Sequence, residues 1–197
     1  MTNSDVQIIS AEPKEITINQ RELSQRLHTK EGFETPLLQS CMERLMGVIR
    51  YRCAYIRVSV NLEQENICDF GFMTIPSRNL YRNLRGCHEA FVMAVTTGIG
   101  VDRLLAKLNA VSQAEHFLTD ALSSAAVESF CDYVCSDLKK EAECAVRFSP
   151  GYGDLSIEFQ KPLLQRLSAY EQLGITLNSA YLMTPVKSIT AIMGIKQ

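Results

Sequence analysis

Between Thr35 and Leu62 the apolar residues change period once, and this change constrains the fold more than any other feature of the chain. In TPLLQSCMERLMGVI (35–49), Leu37, Leu38, Cys41, Leu45 and Ile49 recur at helical spacing behind a Thr35 N-cap, with Pro36 at the first helical position. In CAYIRVSVNL (53–62), Ala54, Ile56, Val58 and Val60 alternate with Tyr55, Arg57, Ser59 and Asn61, which is the pattern of a half-buried strand. An amphipathic helix running straight into an amphipathic strand calls for a sheet with helices laid on it. Similar switches recur along the chain. ITINQRELSQRLH (16–28) reads as a short strand turning into a helix, CDFGFMTI (68–75) as the antiparallel partner of 53–62 across LEQEN, and SRNLYRNLRG (77–86) as a capped helix ending at Gly86. HEAFVMAVTTG (88–98) reads as a buried strand, with a helix from near Asp102 and a longer one over 113–140. ECAVRF (143–148) reads as a strand, a helix follows from near Pro162, and LNSAYLMTPVKSITAIMG gives two strands around a break at Pro185. Neighbouring strand signals favour antiparallel pairing, so the predicted class is α+β.

The chain has 197 residues, 46% of them hydrophobic, enough for one domain with an apolar core. It contains no Pro/Gly/Ser-rich linker and no repeat, so residues 1–15 are read as a lead segment and 16–197 as a single domain. Twenty basic residues stand against 22 acidic ones, for a net charge of −2. Such a balance leaves no basic footprint for phosphates and argues against nucleic acid as a partner. No apolar run approaches the roughly 18 residues of a membrane span, and the first residues lack the pattern of a secretory signal. The expectation is a cytoplasmic protein that does not engage a membrane. Seven cysteines without a CxxC pair, and only three histidines, read as reduced thiols in the core; no metal site is expected.

Three stretches have chemistry to be weighed. Along the 113–140 helix, Ala121, Ser124, Ala125, Glu128, Cys131 and Cys135 share one side, a strip of small residues interrupted by a single carboxylate. Packing of a neighbouring element accounts for the small residues, and a thiol-based role of Cys131 and Cys135 is the alternative. Glu128 requires a hydrogen-bonding or cationic partner unless it reaches water. The GIG at 98–100 lacks the further glycine of a dinucleotide fingerprint, since Arg103 stands there, and reads as a tight turn. RFSPGYGD (147–154) puts two glycines and a proline after a strand-end arginine. Gly151 and Gly153 permit positive φ and close backbone approach, Arg147 offers a planar fork for a carboxylate, and Tyr152 can stack and donate a hydrogen bond. A well-made surface turn is the competing reading of the same residues.

RFSPGYGD, followed downstream by LGITLNSAYLMTPVKSITAIMG, resembles the activation domain of cobalamin-dependent methionine synthase. That family carries an RxxxGY motif, then a helix, then a strand with a proline and a serine; here Arg147, Gly151, Tyr152, Pro185 and Ser188 match. The GYGD form, the Lys187–Ser188 pair, LRGCHEAFVMAVTTGIGVD and AVESFCDYVC are similar to the small standalone relatives of that domain, so the resemblance spans nearly the whole chain.

The resemblance implies helices packed around a twisted antiparallel sheet and the binding of S-adenosylmethionine. It implies a standalone reactivation subunit for a cobalamin-dependent methionine synthase that lacks its own activation domain. There, an electron from a flavodoxin-type or other reductase and the methyl group of S-adenosylmethionine convert cob(II)alamin to methylcobalamin, the cobalamin being carried by the partner. By the same resemblance Arg147 holds the ligand carboxylate, Glu128 sits at the glutamate of ExFxxYL, and Glu141 fits a second glutamate six residues before the arginine, with Glu143 as the alternative register. Tyr152 takes the catalytic place near the upper face of the corrinoid, positioning rather than transferring a proton, because methyl transfer from a sulfonium requires none. The sequence departs from the fused enzyme where LSIEFQ replaces its proline–aspartate–histidine run. The alternative function is a corrinoid-protein binding module, a chaperone or regulator, that reuses the fold without methyl transfer.

Overall fold

The computed structural model describes residues 6–30, 32 and 34–196. In chain order its elements are β1 (Gln7–Ala11), α1 (Gln20–Leu27), α2 (Pro36–Val48), β2 (Tyr51–Ser59), β3 (Ile67–Asp69), β4 (Thr74–Pro76), α3 (Arg78–Asn83) and β5 (Cys87–Thr96). There follow α4 (Ile99–Val111), α5 (Gln113–Leu138), α6 (Gln160–Arg166), α7 (Ala169–Leu173), β6 (Thr176–Leu177), β7 (Met183–Thr184) and β8 (Ser188–Lys196). The architecture is α+β. Its four-stranded sheet has the order β1-β2-β5-β8, every neighbouring pair antiparallel.

Strand alternation divides the core in two. Along β5, Phe91, Met93 and Val95 face a cluster built with α1, α2, α4 and α5, while Ala90, Val92 and Ala94 face another built with α3, α6, α7 and the β3–β4 hairpin. Both faces of β5 are therefore buried, which is why its sequence is a continuous apolar run. β2 shows the expected half-buried pattern only toward its end, where Arg57 and Ser59 are exposed while Ile56 and Val58 are buried. At its start Tyr51 and Cys53 are buried as well, under the first helical layer.

Several expectations are corrected by these pairings. CDFGFMTI does not pair along 53–62; it folds back on itself as β3–β4 around Gly71, and a single Asn61–Asp69 bridge joins it to the end of the β2 segment. β2 pairs with β1 and β5 instead, because β5 is longer and buries both of its faces. Part of the lead segment is thereby an edge strand of the main sheet, residues 1–5 lying outside the described residues. No strand forms at 16–19; Ile16 and Ile18 enter the core from extended chain, and the Asn19 side chain accepts from the Arg21 and Glu22 N–H groups to start α1. ECAVRF touches β8 through two isolated bridges, Cys144–Ile195 and Phe148–Ile192, without forming a continuous strand. The helix near Pro162 begins at Gln160 and is split into α6 and α7 at Ser168, whose φ is +46°.

α4 starts at Ile99, before the expected Asp102, because Gly98 at φ +82° provides the turn and Gly100 allows contact with the end of α2. A Cβ at position 100 would lie 2.6 Å from the Val48 carbonyl oxygen. Gly100→Ala is accordingly expected to cost about 1–3 kcal/mol through overpacking, which outweighs the helix-propensity gain of up to about 1 kcal/mol. Urea unfolding checks this, and an unchanged midpoint would show that α4 shifts away freely.

Candidate functional site

The 143–148 segment keeps sheet hydrogen bonds at Ala145 (N–H to Gly194 O, 2.8 Å) and Phe148 (N–H to Ile192 O, 2.8 Å). Between them it bulges: the Val146 carbonyl accepts from Asn83 Nδ2 at 3.0 Å, and Arg147 extends toward α5. There Arg147 Nη2 donates to Glu128 Oε2 at 2.7 Å, and Nη1 donates to Asp132. Glu128 and Asp132 are one helical turn apart on the same side of α5 and would repel each other; the guanidinium fork bridges both. Burial opposes the arginine's charge, yet the neighbouring Cys131 thiol and the Asp132 carboxylate raise its pKa above the ordinary value.

The three charged side chains line a cleft of about 670 Å³ between α5, the 147–152 loop and the first half of β8. The loop is held from behind. Pro150 is buried, and the Gly151 N–H donates to Leu155 O at 2.8 Å. Gly153 has φ +55°, and a Cβ there would lie 2.3 Å from Asn79 Nδ2. Asp154 accepts from Ser77 Oγ at 2.5 Å and from the Arg78 and Asn79 N–H groups at 2.8 and 3.2 Å, which fixes the loop to the first turn of α3. These bonds, the Ser77 hydroxyl foremost, lower the Asp154 pKa below its usual value. Tyr152 is left projecting at the cleft wall, 63% exposed. RFSPGYGD is a well-made turn: the glycines and Asp154 build it, and it leaves Tyr152 and Arg147 on the cleft wall.

The other end of the cleft is neutral. Thr190 Oγ1 donates to Gln160 Oε1 at 3.2 Å, and Gln160 Nε2 donates to Tyr181 O at 3.0 Å. Ser188 Oγ lies 2.7 Å from Pro185 O and 2.9 Å from Thr96 Oγ1, with Met183, Ile189 and Met193 supplying apolar wall. Lys187 ties the start of β8 to α5, its Nζ donating to Asp120 Oδ1 at 2.7 Å and Ser124 Oγ at 2.8 Å. Ser124 and Glu128, the polar members of the small-residue strip, thereby each receive a cation from a segment distant in sequence. Its small members Ala121, Ala125 and Cys131 are packed into the core.

Of the residues singled out from sequence, Glu128, Arg147, Tyr152 and Ser188 meet on the cleft. Gly151 lies in the loop behind Tyr152, and Pro185 contributes through its carbonyl to Ser188. Glu141 is not brought there: α5 ends at Leu138, and the turn after it leaves Glu141 exposed. Glu143, the other register, pairs with Lys196 at 2.9 Å. The second carboxylate on Arg147 is Asp132, and its i+4 spacing from Glu128 is a signal the sequence does contain. Gln160 and Thr190 carry no such signal, because their meeting depends on how α6 lies against β8. Among the described residues, no three His, Cys, Asp or Glu side chains cluster to hold a metal ion, and no helix is long and apolar enough to cross a membrane.

No protein-family model matches the chain, and no curated protein matches it. A solved structure does: a crystal structure of the MetH reactivation domain bound to AdoHcy is similar over 98% of this chain and 78% of that chain, with a TM-score of 0.74 and 13% sequence identity. The chain therefore has the α+β fold of that domain, helices laid on an antiparallel sheet, at a sequence identity where the likeness speaks for the fold alone.

Proposed function

We propose that the cleft binds S-adenosylmethionine and that the chain serves as a standalone reactivation subunit for a cobalamin-dependent methionine synthase lacking its own activation domain. The observation that carries this reading is Arg147 held on Glu128 and Asp132 at one end of a cleft whose other end is neutral. An amino acid with a sulfonium group presents a carboxylate, an ammonium and a positive sulfur, and an arginine with two carboxylates complements all three. The buried Gln160, Ser188 and Thr190, together with the methionine-lined wall, suit an uncharged heterocycle that forms hydrogen bonds along its edge. The fold shared with a domain crystallised with AdoHcy supports the same assignment.

In this reading the partner's cobalamin supplies the methyl-accepting metal, and a flavodoxin-type or other reductase supplies the electron. The chain's own residues bind and orient: Arg147 takes the ligand carboxylate, Glu128 and Asp132 face its positive groups, and Tyr152 covers the side where the methyl group leaves. The C–S bond breaks, its electron pair stays on sulfur, and the product is S-adenosylhomocysteine. No proton moves, so catalysis is by positioning.

Calorimetric titration of S-adenosylmethionine and S-adenosylhomocysteine into the protein is the test. Saturable binding of both is expected, with heat lost when methionine or adenosine replaces them at equal concentration. Absence of binding by either at millimolar ligand would sink the assignment. For the transfer step, the visible spectrum of a cob(II)alamin-loaded partner, given a reductant, is expected to convert to that of methylcobalamin only when this protein and S-adenosylmethionine are both present.

A further inference from the structure

The neutral end of the cleft is built around one amide. Gln160, the first residue of α6, is 4% exposed and lines the cleft beside Met183 on β7 and Thr190 and Met193 on β8. Two bonds hold its side chain: Thr190 Oγ1 donates to Oε1 at 3.2 Å, and Nε2 donates to the Tyr181 carbonyl at 3.0 Å. A carbonyl oxygen only accepts, so the amide nitrogen has to face Tyr181 and the group cannot turn over. That carbonyl is itself fixed. Tyr181 sits at φ +58°, in left-handed backbone uncommon for a bulky residue. Its turn is held by Asn178 Oδ1, which accepts from the Ala180 and Leu182 N–H groups at 2.9 and 3.0 Å. A primary amide has two N–H donors and two acceptor positions. Thr190 and Tyr181 engage one of each, and among the described residues no other group bonds to this side chain. A buried side chain at the cleft thus keeps one donor and one acceptor for an occupant, and leaving them unbonded would cost free energy.

We propose that Gln160 is a specificity-determining residue that selects a 6-amino purine over a 6-oxo purine. The inference rests on the cleft taking S-adenosylmethionine and its product, and it names the group that reads the base. Adenine presents its N6 amino donor beside a ring-nitrogen acceptor, N1 on one edge and N7 on the other, and this pair complements an amide with one acceptor and one donor to spare. Oε1 takes an N6 hydrogen, and Nε2 donates to the ring nitrogen. A 6-oxo purine sets an acceptor oxygen against Oε1 instead. Turning the amide over would relieve that clash only by setting Oε1 against the Tyr181 carbonyl, so the 6-oxo base leaves two acceptors opposed in either orientation. Met183 and Met193 supply polarizable thioether surface for the ring.

Calorimetry on the full chain tests this with two ligands, S-adenosylhomocysteine and its 6-oxo analogue S-inosylhomocysteine. The adenosyl compound is expected to bind roughly tenfold tighter or more. In Gln160→Met, which keeps the length and apolar contacts of the side chain but carries no amide, the two affinities should converge to within about threefold, chiefly through weaker adenosyl binding. Thermal unfolding establishes that the variant is folded; if it is not, Gln160→Asn, which keeps the amide and withdraws it by one methylene, is read in the same way. A residue that merely clamps α6 to β8 would change both affinities alike and leave their ratio unmoved. Equal binding of the two compounds to the unaltered protein, or a preference kept in a folded variant, overturns the assignment of Gln160 while leaving S-adenosylmethionine binding in place. Binding of neither compound overturns the reading of the cleft itself, and this inference with it.

Discussion

Arg147→Ala is expected to weaken S-adenosylhomocysteine binding by roughly thirtyfold or more, the consequence of losing at least about 2 kcal/mol when one member of a hydrogen-bonded charge pair is truncated. Two losses combine. The ligand carboxylate has no planar fork to meet, and Glu128 and Asp132, one turn apart on α5, are left facing each other without the guanidinium that bridges them. Arg147→Lys should restore only part of the affinity, because an ammonium is a point charge and does not span two carboxylates in fixed geometry. Stability should fall modestly in Arg147→Ala and less in Arg147→Lys: Asp132 is 61% exposed and water screens its pair, but Glu128, 29% exposed, loses its partner. Calorimetry for the ligand and thermal unfolding for the fold separate the two effects. Affinity retained within twofold in folded Arg147→Ala would remove Arg147 from the site.

Phe130→Ala is expected to be the most damaging single truncation of the core, costing about 3–5 kcal/mol. Phe130 is fully buried, its ring centroid 4.9 Å from that of Tyr51 on β2 and 6.3 Å from that of Tyr133 one turn along α5. The Tyr51 contact ties the longest helix to the sheet, and with it the helix face that carries Glu128 and Asp132. A domain of this size holds about 5–15 kcal/mol in total, so the midpoint of thermal unfolding should fall by roughly 6–20 °C. Phe130→Leu should lose much less, because most of the volume remains. A fall of under about 1 kcal/mol for the alanine variant would mean that the layer collapses to fill the hole.

Local signals settled the individual elements well. Thr35 and Pro36 start α2 where the N-cap rule puts them, Ser77 caps α3, and the apolar run of 88–98 is a strand buried on both faces. These depend on interactions a few residues long, so the order of residues contains them. Pairing was harder. CDFGFMTI is apolar enough for a partner strand, but which strand lies beside β2 is decided by total burial, and β5 buries more than a short segment interrupted by Gly71 can. ECAVRF failed as a continuous strand for a related reason: Arg147 is drawn out of register by the carboxylates of α5.

The candidate site divides in the same way. The RFSPGYGD loop, its glycines and the lone carboxylate in the α5 strip are visible in the sequence, because positive φ, a stiffened turn and a charge among small residues are local facts. That Gly153 must clear Asn79, that Asp154 fastens the loop to α3, and that Asp132 rather than Glu141 shares Arg147 are decided only in three dimensions. Sequence alone determined the longer helices, the strands β2, β5 and β8, and which residues are chemically out of place. The tertiary structure decided their partners, since a hydrogen bond or ion pair between distant segments depends on how the layers pack, and packing is a property of the whole core.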